Sequence, residues 1–142
     1  MMYLLDTNVV SELRKAKTGK ADKNVVSWAA NVSSPCLFLS VITILELETG
    51  IQLLERRDPS QGSQLRAWLE GQVLPAFSDR ILPIDVLVAK RCANLHVPDQ
   101  RSDRDALIAA TALVHGMTVV TRNIADFQPT GVVLLNPWMN MK

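Results

Sequence analysis

Short apolar runs alternate with longer segments of helical periodicity along this chain, and that alternation restricts the fold more than any other feature. Residues 2–5, 36–39, 80–85, 117–121 and 132–135 each have the length and apolarity of a buried strand. Strands separated by helices return to a sheet in parallel, so the pattern predicts a central, mostly parallel sheet of about five strands with helices on both faces. The expected architecture is a three-layer α/β/α domain over residues 1–142, with the 132–135 strand at an edge.

The helices between the strands announce themselves by caps and spacing. Thr7 or Asn8 can cap a helix to about Lys15, and residues 15–23 read as a basic, exposed loop ending at a second cap, Asp22. Pro35 precedes the second strand. From Ser40 to Arg57, the residues Ile42, Leu45, Leu47, Ile51 and Leu54 form an apolar surface at helical spacing, and Asp58-Pro59 ends it. Another helix is expected over 60–77, with Leu65, Trp68, Leu69 and Val73 inward. Asp85 can cap a helix to about His96, and 97–101 is a loop. Ser102 opens an Ala-rich helix suited to close packing on a sheet, with Gly116 at its end.

Composition excludes more than it selects. The 142 residues carry a formal net charge of +1, so any nucleic-acid binding must come from local clustering of charge. Cys36 and Cys92 lack metal-type spacing and read as reduced, buried thiols of a cytoplasmic protein. No signal-peptide pattern or membrane-length apolar run is found.

Chemistry is announced where carboxylates interrupt apolar segments, because an ionised group in a dry place needs compensation. Asp6 ends the first strand, and ligands in open α/β sheets sit outside the carboxyl ends of strands. Glu46 shares a helix face with Thr43 and Gly50, Asp105 lies in the first turn of the Ala-rich helix, and Asp126 follows the fourth strand. Each has a plain alternative. Asp6 suits a turn or cap, Glu46 a solvated face like Glu48, Asp105 an S-x-x-D capping box with Ser102, and Asp126 a helix cap or Asx turn. A parallel sheet nonetheless gathers such positions along one edge. Converging carboxylates raise one another's pKa unless a cation neutralises them, and hard oxygen ligands select Mg²⁺ or Mn²⁺. His96 and His115 stand alone and read as structural. One or two such ions suit phosphodiester hydrolysis.

In order and spacing, the segments L-L-D-T-N-V-V-S-E (4–12), L-S-V-I-T-I-L-E-L-E-T-G (39–50), R-I-L-P-I-D (80–85), D-A-L-I-A-A-T-A (105–112), T-V-V-T-R-N-I-A-D-F (118–127) and N-P-W (136–138) resemble the PIN-domain ribonucleases. The resemblance is to VapC-type toxins of type II toxin–antitoxin pairs, in the FitB/StbB-like subgroup. It implies that Asp6, Glu46 and Asp105 bind Mg²⁺ or Mn²⁺. The fourth position is Asn123 where some relatives have Asp, so Asn123 through a metal-bound water, or Asp126, completes the set. Thr7, Asn8, Thr43 and Thr121 are expected to orient these groups, and Arg104 and Arg122 to contact RNA or an antitoxin.

The resemblance further implies an endoribonuclease, homodimeric, inhibited by a cognate antitoxin whose C-terminal segment lies in the active-site groove. Operator DNA would be met only through that antitoxin. The helices around Ile42–Leu54 and Leu65–Val73 would grip the antitoxin or serve as plain core. Arg14, Lys15, Lys17, Lys20, Lys23 and Arg101 add local positive charge. Three rivals remain: a phosphotransferase that would need Asp at position 8, where Asn stands; a structure-specific DNA nuclease; and a catalytically idle binding module acting in a repressor complex.

Overall fold

The computed structural model describes residues 1–139, so the expected 1–142 span ends outside the described residues. Five parallel strands form its centre: β1 (Tyr3–Leu5), β2 (Leu37–Ser40), β3 (Ile81–Leu82), β4 (Thr118–Val120) and β5 (Leu134–Leu135), in the order β3-β2-β1-β4-β5. Every pairing is parallel, and β5 lies at an edge as the sequence predicts. The three-layer α/β/α reading therefore holds. The strand β1 is central because Leu4 and Leu5 are fully apolar and buried from both faces.

The third strand is shorter than the expected 80–85. Pro83 has no N–H to donate, so pairing stops at Leu82. Beyond it, Asp85 accepts the Val88 N–H at 2.9 Å and opens helix α6 (Val86–Leu95), the sixth of eight α-helices among the described residues. Before it come α1 (Thr7–Arg14), α2 (Lys23–Ala30), α3 (Val41–Arg57), α4 (Pro59–Trp68) and α5 (Leu74–Ala76); α7 (Asp103–His115) and α8 (Ile124–Phe127) follow.

Two further boundaries differ from expectation for local reasons. Residues Lys15–Thr18 form a short 3₁₀ turn rather than open loop, closed by Gly19 in the left-handed region at φ 73°. The expected helix over 60–77 is interrupted by a π turn at Leu69–Val73, where the Leu74 N–H donates to the Leu69 carbonyl. Pro75 next to it has no N–H for an α-type bond, so the register shift falls where a donor is missing.

One face of the sheet packs on α1, α2, α3 and the π turn through Val9, Val25, Leu47, Ile51 and Leu69; the other packs on α7 through Ile108, Ala109 and Ala112. The small Ala side chains permit the close approach expected of them. Leu45 departs from its expected inward place and is 48% exposed. Glu48 is not the free, solvated residue expected. Arg66 of α4 forks onto it at 2.6 and 2.7 Å and also reaches Glu55, holding the Glu48 carboxyl down at about 2. At the same contact a Cβ on Gly62 would sit 2.6 Å from the Glu55 Cα, so only glycine lets α3 and α4 meet this closely. Cys92 is buried but Cys36 only partly so; both thiols are free. Among the described residues no helix is long and apolar enough to cross a membrane.

Candidate metal centre

The carboxyl ends of β1, β2 and β4 lie side by side, and the chain leaves each of them into a helix or turn carrying polar side chains. Asp6 follows β1 directly. Its N–H donates to the Val120 carbonyl at 2.9 Å, which places the residue between β1 and β4 before any side chain is considered. Asp6, not Thr7 or Asn8, is the N-cap of α1: its Oδ1 accepts the Thr7 N–H at 2.8 Å. The capping role and a functional role are thus not exclusive, because one oxygen caps while the other faces the strand ends.

That second oxygen, Oδ2, accepts the Thr121 hydroxyl at 2.8 Å and the Asn8 amide at 3.4 Å. Thr121 is fully buried and in turn accepts the Asn123 N–H at 2.9 Å, so one hydroxyl orders both the carboxylate and the start of the next turn. On the other side, the Thr7 hydroxyl donates to Glu46 Oε1 at 2.6 Å, and the buried Thr43 hydroxyl lies 3.2 Å from it. Helical spacing on α3 puts Thr43 and Glu46 one turn apart, which is how the chain brings Glu46 to Thr7. Arg104 Nη1 approaches Glu46 Oε2 at 3.8 Å.

Asp105 enters from the first turn of α7. Ser102 occupies the N-cap but makes no side-chain capping bond, so the capping-box alternative is not realised. Asn123 holds the N-cap position of α8 without capping it, and Asp126 lies exposed within that helix rather than capping it. A polar cleft of about 450 Å³ is lined by Asp6, Thr7, Asn8, Ser11, Glu12, Lys15, Glu46, Asp105, Arg122, Asn123 and Trp138. Asp126 stands beside that lining and acts on it through its charge; Thr43 and Thr121 lie beneath.

The electrostatics follow from this crowding. Burial raises the Asp6 carboxyl above its ordinary range, the Thr121 and Thr7 hydrogen bonds hold it back, and the charges of Glu46 and Asp126 push it further up. Asp105 is pushed up to about 6, by burial first and then by Asp6, Asp126 and Glu46. Two carboxyls raised by burial and neighbouring negative charge at one strand edge are the condition that a cation relieves. The donors are hard oxygens of carboxylates, hydroxyls and an amide, with no imidazole or thiolate lining the cleft among the described residues, which fits Mg²⁺ or Mn²⁺ over Zn²⁺. Among the described residues, no three carboxylate, imidazole or thiolate groups are close enough to ligate one ion together. Mg²⁺ keeps several waters and takes only one or two carboxylates directly, so the donor set suits an ion held partly through water.

Ser11, Glu12 and Trp138, which sequence reasoning gave no site role, also line the cleft, as does Lys15 of the basic cluster. Asn8, Ser11, Glu12 and Lys15 recur at i, i+3, i+4 and i+7, a helical stripe that the sequence displays. Glu12 accepts the Asp22 N–H at 2.7 Å and pairs with Lys15 at 2.9 Å, with Lys15 and then Asp22 holding its carboxyl low. Of the other basic residues, Arg14 lies 6.0 Å from the Trp68 ring, outside the cleft, and Arg101 donates to the Leu95 carbonyl. His96 accepts the Arg101 N–H at 3.0 Å, a structural role as expected.

The PIN domain family model matches residues 3–128. The chain is 38% identical over 142 residues to the VapC ribonuclease Y4jK of Sinorhizobium fredii, covering 96% of this chain and 98% of that protein. It is 36% identical over 142 residues to toxin FitB of Neisseria gonorrhoeae, covering 96% and 99%. Its fold matches a chain of FitAB bound to an IR36 DNA fragment with a TM-score of 0.88 at 34% identity, over 99% of each chain. With a family model spanning most of its length and relatives this similar end to end, the chain belongs to the PIN domain family, in its VapC- and FitB-like branch.

Proposed function

We propose that this chain is the toxin of a type II toxin–antitoxin pair and cleaves RNA internally with Mg²⁺ or Mn²⁺, using one or two ions. The observation that carries the reading is the meeting of Asp6, Glu46 and Asp105 at one sheet edge, with Asp105 pushed up to about 6 by burial and by its neighbours' charge. The names of the relatives, a ribonuclease and a toxin, support the same activity. A bound ion would supply a water of lowered pKa and neutralise charge on the scissile phosphate.

The chain's own residues divide that work. Asp6, Glu46 and Asp105 would hold the ion, and Asn123 or Asp126 would complete the set, Asn123 through water and Asp126 through its charge. Thr7 orients Glu46; Thr121 and Asn8 orient Asp6; Thr43 backs Thr7. Such supporting groups commonly tune metal sites by 10–100-fold. Arg104 and Arg122 flank the acids and take RNA phosphates, or the carboxylates of an antitoxin segment lying in the cleft. The protein acts in the cytoplasm as a homodimer and meets operator DNA only through its antitoxin.

The test uses antitoxin-free protein on total RNA and on transfer RNA, with and without EDTA, beside Asp6→Asn. Metal-dependent cleavage lost in Asp6→Asn is the expected result. Equal cleavage in every condition identifies a contaminant, and no cleavage or growth arrest by the wild type favours the idle binding module.

A further inference from the structure

The N-P-W segment closes the cleft from the far end of the chain, and nothing in the acid chemistry uses it. Trp138 is half-buried, yet it lines the same cleft as Asp6 and Asp105. Its backbone is held on two sides: the carbonyl accepts the Asn24 amide at 2.8 Å, and the N–H donates to Asn136 Oδ1 at 3.0 Å. Pro137 before it is buried. The ring position is therefore set by the turn and by α2. The Arg122 guanidinium carbon lies 5.2 Å from the ring centroid, and the Arg122 N–H reaches the Asn8 side chain at 3.4 Å, one residue from the turn that holds Asp6.

Trp138 packs against the buried cluster on the α1–α3 side of the sheet, and the same side chain also lines the polar cleft beside a guanidinium. Core packing needs neither the open polar face nor the cation. Single-stranded RNA is recognised by stacking of unpaired bases on aromatic rings and guanidinium planes, with the backbone held by positive charge. Resting on the proposed ribonuclease activity, we infer that Trp138 and Arg122 form a stacking seat for one unpaired base of the RNA next to the scissile phosphate. Lys15 lines the same cleft and is paired there with Glu12 at 2.9 Å. The seat would make an unpaired nucleotide at the cut a requirement and would tolerate any base, because every base offers a stacking face.

The test measures binding of a single-stranded oligoribonucleotide to the Asp6→Asn protein, with an abasic site walked through each position. One position is expected to lose about ten-fold in affinity when abasic, and Trp138→Ala is expected to lose a similar factor while becoming indifferent to the abasic site there. Trp138→Phe keeps most of the affinity and the abasic penalty, which separates stacking from folding; melting temperatures of all variants accompany the series. An abasic penalty at no position, or one unchanged in Trp138→Ala, overturns the seat while leaving metal-dependent cleavage by the wild type intact. Weakened antitoxin binding with unchanged RNA coupling assigns the surface to the antitoxin instead and likewise overturns it. Absence of both RNA binding and cleavage in the wild type ends the ribonuclease reading and the seat together.

Discussion

The two sides of the acid cleft are built differently. On the floor, Asp6 is 6% exposed and sits between two strands, with a backbone N–H on one oxygen and a buried threonine hydroxyl on the other. On the rim, Asp105 and Asp126 project from the starts of α7 and α8, and Asp105 is governed by burial and three neighbouring charges, with no hydrogen bond among the described residues holding it down. The floor has orientation set before any ligand arrives; the rim has charge and little orientation. A cation proposed for such a cleft would meet one carboxylate already oriented by hydrogen bonds and others held mainly by charge. Among the described residues no three ligating groups surround one point, which accords with a site only partly ordered by hydrogen bonds.

The strongest way to break the comparison is at the floor. Asp6→Asn keeps the shape but removes the charge, and cleavage should fall by about 10³-fold or more, since a bound ion supplies several kcal/mol to the transition state. Rates under single-turnover conditions measure it, and a variant within ten-fold of wild type removes Asp6 from the metal set. Thr121→Val is next. It deletes the hydroxyl that donates to Asp6 and leaves the Asn123 N–H without its acceptor. Metal affinity should drop by about 10–100-fold and stability by about 1–3 kcal/mol, read by Mn²⁺ titration and by denaturant unfolding. Loss of stability with unchanged metal affinity would make Thr121 a structural residue only.

The floor was legible in the sequence and the rim only in part, for physical reasons. An apolar run ending in Asp-Thr-Asn encodes a strand, a turn and a polar terminus within a few residues, so local pattern suffices for Asp6. Glu46 is recoverable because helical spacing ties it to Thr43. The Asp85 and Asp22 caps and the edge place of β5 are equally local matters. Trp138 is different, because it reaches the cleft from beyond the edge strand, and only the tertiary fold brings residues so far apart into one lining. Glu12 shows both cases: its stripe with Asn8 and Lys15 is visible in sequence, but its bond to the Asp22 N–H depends on how the 3₁₀ turn folds back. The π turn at Leu69–Val73 is legible only as a proline in a helical pattern; the register it forces is set by packing.

The rim's charge coupling is sharpened by pH. The folded value of Asp105, about 6, lies above its ordinary 3.8, so the group adds stability that is fully present below pH 3.8 and is lost as pH rises through about 6. Metal-free protein should therefore lose thermal stability across that window, and Asp105→Asn should flatten the loss. Adding Mg²⁺ or Mn²⁺ should raise the melting temperature above pH 6 and do progressively less below it, because protons and the ion compete for the same carboxylate. Melting curves from pH 4 to pH 8, with and without the ion, check each arm. A profile unchanged by Asp105→Asn would show that the rim is not coupled.

The smallest effect is expected at Asp126, and it decides what the rim is. Asp126 is exposed and raises both Asp6 and Asp105 through its charge. If it contributes only field, Asp126→Asn lowers the Asp105 midpoint and costs cleavage less than about ten-fold, because an exposed charge is screened by water and salt. If it ligates the ion, the loss reaches the 10–100-fold or greater range of groups that hold a metal. Asn123→Asp supplies the opposite change at a residue that lines the cleft. Placed on Asp126→Asn, it should restore or exceed wild-type Mn²⁺ affinity if position 123 is the nearer point to the ion. Failure to restore, with Asp126→Asn strongly impaired, would move the fourth acid from the turn after β4 to α8 itself.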